Sequence, residues 1–233
     1  GVLSKPVTRG IFFLATFLGI LAVALLFCAT MMLAGLLSVR MTLFMIQTDW
    51  RIGWVMVGAL ALAFGTAGAA NYWFKRSFTA WAMLGLLPAF AGAFCVCACL
   101  GYRGELVQFG SLINWRILPA GILASMAVVV LTALAVAFST RLPPVWSAAA
   151  CGMTFLTGLF ADYAATMPSA YNPWNFWFWR FWPGWQVFWA TDALAGGGAI
   201  PWGYVANAGL YTLLYTTGTL TLGWLSFRRI EIM

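Results

Sequence analysis

GILASMAVVVLTALAVAF, running from Gly121 to Phe138, is the stretch that decides the fold. It carries no charge and is apolar on every side. A membrane barrel strand would alternate apolar and polar residues, one set for lipid and one for the lumen. Backbone inside hydrocarbon must satisfy its own hydrogen bonds, which leaves only helices or a closed barrel. With no alternation, helix is selected. Working outward, this stretch fills 117–138, and five others resemble it: 11–37, 52–74, 78–101, 143–163 and 203–226. Crossing a hydrocarbon core takes roughly 20 apolar residues per helix. None of the six contains an internal Lys or Arg, and Asp162, at the end of the fifth, is the one acid within them. The expectation is an all-α, polytopic membrane helix bundle with six transmembrane helices, forming a single domain over residues 1–233.

Composition supports that class. The chain is 64% hydrophobic and 7% charged, with mean hydropathy +0.92, whereas soluble domains carry about 25% charged residues. Its formal charge of +7 has no soluble basic domain to serve, so nucleic acid is not an expected partner. Orientation and a lipid surface account for the charge instead. The chain opens on Gly1, already beside a basic segment and a span, so a further N-terminal portion is expected upstream of it.

Orientation follows from the gaps between spans. With the first residues cytoplasmic, inside gaps hold Lys5, Arg9, Lys75, Arg76, Arg141, Arg228 and Arg229. Outside gaps hold Arg40, Arg51, Arg103, Arg116 and Arg180. Seven against five agrees with the positive-inside rule. The pairs Lys75-Arg76 and Arg228-Arg229, abutting spans, are the stronger sign. Both observed ends are expected inside.

Most familiar chemistry is excluded. The chain has no histidine, which removes bis-histidine haem and the commonest proton shuttle. Cys95-x-Cys97-x-Cys99 has the look of a metal cluster, but about 100° per residue puts Cys97 nearly opposite the other two. Buried apolar cysteines are the preferred reading. Gly196-Gly197-Gly198 is followed by no Lys-Ser/Thr pair, so it reads as a turn before the last span and not as a phosphate loop. No catalytic, cofactor or metal site is expected in this chain. Asp162 is the one acid at membrane depth, where acids are functional candidates by default. It also lies near the outer end of its span, where an interfacial role serves equally well.

Tyr171 to Trp202 has the most unusual composition. Trp174, Trp177, Trp179, Trp182, Trp185, Trp189 and Trp202 are half of the chain's 14 tryptophans. Pro168, Pro173, Pro183 and Pro201 break the region into pieces too short to span. Trp favours the membrane–water boundary, with its ring in the apolar layer and its N–H in reach of water. The expectation is short interfacial helices in the outer leaflet before the last span. They form either an anchoring belt or an outer gate, with Trp174, Trp177, Trp182, Trp185, Trp189, Asp162 and Asp192 as the candidates.

Several segments, in order, resemble one family. Leu3-Ser4-Lys5-Pro6-Val7-Thr8-Arg9-Gly10 followed by Phe17-Leu18-Gly19 resembles the cytoplasmic segment of type-2 ATP-binding-cassette (ABC) transporter permeases. Asn71-Tyr72-Trp73-Phe74-Lys75-Arg76-Ser77-Phe78 and Ala135 to Leu142, with its Ser139-Thr140-Arg141, are similar to later segments of the same family. So are Gly158 to Tyr163, Trp185 to Phe188, Thr191 to Leu194, Ile200 to Val205 and Phe227 to Ile232. Together they cover nearly the whole chain. The family's Gly-Lys after the basic segment is replaced here by Ala15-Thr16, so any role of that lysine is absent. The family carries one or two spans upstream of the basic segment; they are missing from this sequence, and the resemblance implies that they precede Gly1.

The resemblance implies a transmembrane permease subunit in the bacterial cytoplasmic (inner) membrane, working as an exporter. Cytoplasmic ATP-binding subunits, holding ATP and Mg, would dock on Lys5, Pro6, Arg9, Ser139, Thr140 and Arg141. A second permease chain, identical or related, would complete it. The alternative is a structural or assembly subunit of a larger membrane complex. In neither case is this chain an enzyme.

Overall fold

The computed structural model describes residues 9–42, 48–101, 104–165, 182–190, 194 and 196–228. Six long helices lie within them: α1 (Arg9–Met41), α2 (Trp50–Phe74), α3 (Phe78–Cys99), α4 (Leu118–Ser139), α5 (Pro144–Ala165) and α6 (Trp202–Arg228). Two short 3-10 turns, Trp115–Ile117 and Trp185–Phe188, accompany them. No strand forms among the described residues; a single isolated bridge pairs Leu100 with Leu106. The chain is therefore all-helical. Helices α1 to α5 each hold a segment long and apolar enough to cross a membrane, which makes this a multi-pass membrane protein.

Helix α6 covers the sixth expected stretch and has ample length, but it is less apolar than the other five. Thr212, Thr216, Thr217, Thr219 and Thr221 and three tyrosines dilute its leucines. Three of those threonines are turned back on their own helix. The hydroxyls of Thr212, Thr217 and Thr221 donate to the carbonyls of Ala208, Leu213 and Thr217 at 2.7–2.8 Å.

The chain forms two compact units. One comprises residues 23–121 and the other residues 1–22 with 122–233. The first is built on the α2–α3 hairpin. Ala59, Ala63, Ala67 and Ala70 are buried along α2, at the spacing of one helix face. Opposite them, a Cβ on Gly85 would stand 3.7 Å from the Ala63 backbone. Small residues let two backbones approach where lipid supplies no hydrophobic drive. The face used is not the Gly58, Ala61 and Gly65 side of the same helix, which is exposed. The hairpin closes at Lys75, the one non-glycine residue at positive φ (53°) among those described. Its N–H and that of Arg76 return to the Ala70 carbonyl, and the Asn71 amide donates to the Arg76 carbonyl at 2.7 Å.

The far end of α3 is covered by the segment that follows it. The N–H groups of Gly110 and Val107 donate to the carbonyls of Ala98 and Cys99, supplying partners that a helix C-terminus lacks. Phe94 meets Phe109 and Trp115 edge-on at 6.3 and 6.1 Å.

In the second unit, α4 packs with α1 and α6 at one end and with α5 and the 185–188 turn further along. Phe13 and Phe17 of α1 join Ala133 and Val136 of α4, with Leu220 and Phe227 of α6 beside them. Val130 and Leu134 join Trp185 and Phe188 in a separate cluster.

Candidate functional site

Two places in the second unit gather the residues singled out in the sequence. The first is the end where α1 begins, α4 stops and α6 finishes. A Cβ on Gly10 would meet the Trp224 ring at 3.2 Å, and Phe13 stacks on Phe227 at 6.1 Å. Gly223 has room for no side chain, because its Cβ would press on Ala137 at 3.0 Å and Phe13 at 3.1 Å. The α4–α5 turn is then tied to α6 by one side chain. Arg141 Nε donates to Ser226 Oγ at 2.8 Å and Arg141 Nη2 to the Ser226 carbonyl at 3.1 Å. Ser139 and Thr140 donate their hydroxyls to carbonyls in the last turn of α4, those of Val136 and Ala137. The turn is thus a fixed, largely exposed surface at the same end as the start of α1. Arg9 is described by its backbone alone, as the first residue of α1; Lys5 and Pro6 lie outside the described residues.

The second place is the aromatic region before α6. Trp174, Trp177 and Asp192 lie outside the described residues, and Asp162 is described only by its backbone, in the last turn of α5. Trp182, Trp185 and Trp189 are described, and they differ. Trp189 is 61% exposed, Trp182 is half-buried and Trp185 is 1% exposed. Trp185 is a wedge. Its indole N–H points to the Thr154 carbonyl at 3.4 Å, and its ring lies 5.3 Å from Phe155 and 6.3 Å from Phe188. Gly158 makes the room: a Cβ there would come within 2.5 Å of Pro183 O and the Trp185 ring.

Thr154 is midway along α5, eleven residues before its end, or about 16 Å at the helical rise. The Trp185 indole therefore reaches the middle of a membrane-length helix, with the backbone at Pro183 packed beside Gly158 one turn nearer its end. Non-helical backbone at that depth needs partners from the protein. Tyrosines of α6 provide two of them. Tyr211 accepts from the Gly184 N–H at 2.9 Å, and Tyr204 donates to the Val187 carbonyl at 2.7 Å.

The cysteine reading can be compared with geometry. Cys95 is exposed, Cys97 buried and Cys99 half-buried, and no group of three His, Cys, Asp or Glu residues among those described could hold a metal ion. Gly197 sits in a turn at φ 75°, its N–H on the Leu194 carbonyl.

The sequence reading missed one cluster. Arg40 was treated as a gap residue, but α1 continues to Met41 and carries it inward, to 2% exposure. With Asp49, Arg51, Cys97, Leu100, Gly101 and Gly104 it lines a cleft in the first unit. The available signal was an arginine one turn beyond the buried pair Leu36-Leu37, on the same helix.

Compared with protein-family models, with curated proteins and with solved structures, the chain finds no match.

Proposed function

We propose that this chain is a transmembrane permease subunit of an ABC transporter, an exporter driven by ATP hydrolysed on separate cytoplasmic subunits. The observation that carries the reading is the shared end of α1, α4 and α6. Gly10 beside Trp224 and Arg141 on Ser226 bring the start of α1, the Ser139–Arg141 turn and the end of α6 to one side. The turn, and the basic segment that leads into α1, are the segments whose sequences resemble the family's ATPase-facing surface. An α6 that finishes beside the start of α1 also fits a sixth crossing, since an even number returns the chain to its starting side. Its 27 residues reach about 40 Å, and its threonine hydroxyls, bonded within the helix, lower the cost of lipid.

In this reading Lys5, Pro6 and Arg9 form one part of the docking surface and Ser139, Thr140 and Arg141 the other. ATP binding closes the partner pair and moves these segments, and rigid-body tilting opens the bundle to one side and then the other. ATP and Mg belong to the partner. A second permease chain completes the pathway, and the aromatic region before α6 faces the exterior as anchor or gate. The membrane is the bacterial inner membrane, with both observed ends in the cytoplasm.

The test is affinity purification from native membranes. The expected result is co-purification of an ATP-binding subunit, lost in the double variant Lys5→Glu/Arg9→Glu and reduced in Arg141→Glu. Recovery with no ATP-binding subunit, or with redox or secretion components instead, removes the transporter reading and favours an assembly subunit.

A further inference from the structure

We propose that the Arg40–Arg51 cleft binds a phosphate group, supplied by the headgroup of an anionic lipid. The site stands apart from the docking surface and does not depend on the transporter reading.

Arg40 is in the last turn of α1 and 2% exposed. Its Nη2 donates to the Leu100 carbonyl, just past the end of α3. Its Nε and Nη1 are fully buried and have no hydrogen-bond partner among the described residues. A buried guanidinium with idle donors is costly unless an anion or other acceptor meets it. Both idle atoms belong to a residue lining a cleft of about 80 Å³ that opens to the surface. Arg51 stands at the mouth. Its Nη1 lies 3.1 Å from where a Cβ on Gly104 would be, and Gly104 has φ 85°, so a side chain there is excluded on two counts. Asp49 is the single acid in the lining, and its Oδ1 is already engaged as the cap of α2, accepting from the Arg51 N–H at 3.1 Å. Two guanidinium groups and one carboxylate leave the cleft at +1, which suits one phosphodiester charge.

The geometry favours phosphate over carboxylate. Nε and Nη1 lie on different edges of the guanidinium, so one anion meets only one of them and takes its other contacts from Arg51, which lines the same cleft. A carboxylate offers two oxygens on one planar edge, whereas a tetrahedral phosphate presents oxygens in several directions. The position favours a lipid. The C-terminal ends of α1 and α3 and the N-terminal end of α2 meet here. All three helices are membrane-length, so their ends lie at the level of lipid headgroups. Basic pockets between transmembrane helices are an established form of headgroup site.

The experiment uses the full chain in phosphatidylcholine nanodiscs, with increasing phosphatidylglycerol. Retained lipid is read by native mass spectrometry and stability by thermal unfolding. Expected is one tightly held phosphatidylglycerol, with affinity at least about tenfold weaker in Arg51→Gln, as loss of a charge-assisted contact implies. Arg51 is exposed, so this variant leaves the fold intact. Arg40→Lys, which keeps the charge but loses the fork, weakens binding at unchanged helix content by circular dichroism. A parallel arm adds inorganic phosphate to pure phosphatidylcholine discs. An Arg51-dependent shift from inorganic phosphate, with none from phosphatidylglycerol, keeps phosphate chemistry but overturns the lipid as its source. Equal retention in wild type and both variants, no response to either phosphate form, or an equal response to acetate overturns the site.

Discussion

The α2–α3 hairpin and the α4–α5–α6 region solve the same problem in opposite ways. The hairpin brings two backbones together along an alanine seam, Ala59, Ala63, Ala67 and Ala70, with Gly85 facing Ala63. The other region is held open by a wedge, Trp185, which fills the space among α4, α5 and α6 and rests on Gly158. In lipid the gain from contact comes from packing and hydrogen bonds and not from leaving water. A seam secures it with the smallest side chains. A wedge secures it with the largest, and then must satisfy the backbone it brings along.

That contrast can be broken at several points. Trp185→Ala is expected to have the largest effect, about 3–5 kcal/mol of destabilisation, because a deeply buried aromatic leaves a cavity. Reversible unfolding in mixed micelles measures it. Gly158→Ala comes next, at about 2–3 kcal/mol, since the new methyl meets the Pro183 carbonyl and the indole together. Gly152→Ala, on the same helix with nothing within 4 Å, serves as its control and is expected to be neutral or stabilising by up to about 1 kcal/mol. Ala63→Leu tests the seam, with about 2 kcal/mol lost to overpacking and no effect on the environment of Trp185 by fluorescence. Tyr211→Phe leaves the Gly184 N–H without its acceptor and costs about 1 kcal/mol, with faster amide exchange at Gly184 as the readout. Lys75→Gly runs the other way. Relief of the left-handed conformation at the hairpin turn is expected to stabilise by about 0.5 kcal/mol, detectable as a small rise in the unfolding midpoint.

Much of this architecture was legible in the residues. Uninterrupted apolar runs fixed the helices to within a few positions, because a helix in lipid needs no internal alternation and tolerates few charges. The α2–α3 turn was marked by the Lys75-Arg76 pair. The opposed faces of Cys95 and Cys97 followed from helical rotation alone. The depth of the Trp185 turn was not legible. Its aromatic and proline content reads as a surface belt, and only the pairing of Gly158 with Trp185 and of Tyr204 and Tyr211 with the turn backbone carries it inward. Those are contacts across 17–31 residues of chain, with no local pattern. Arg40 escaped for a related reason. A cation at the end of an apolar run reads as an interfacial anchor, and its burial depends on the fold of the segment after α3. Ser139 and Thr140 were read as a docking surface; their hydroxyls also close the end of α4, a task the short Ser-Thr motif fits by itself.

The two tyrosine hydroxyls that hold the 185–188 turn impose an order on biogenesis. Gly184 and Val187 emerge from the ribosome before Tyr204 and Tyr211, so during synthesis the turn has no partner for its amide and carbonyl. It must wait among the headgroups until the final helix is delivered, and only then sink between its neighbours. A nascent chain halted ahead of residue 204 would therefore keep Trp185 within reach of an aqueous quencher, and completing the last helix would hide it.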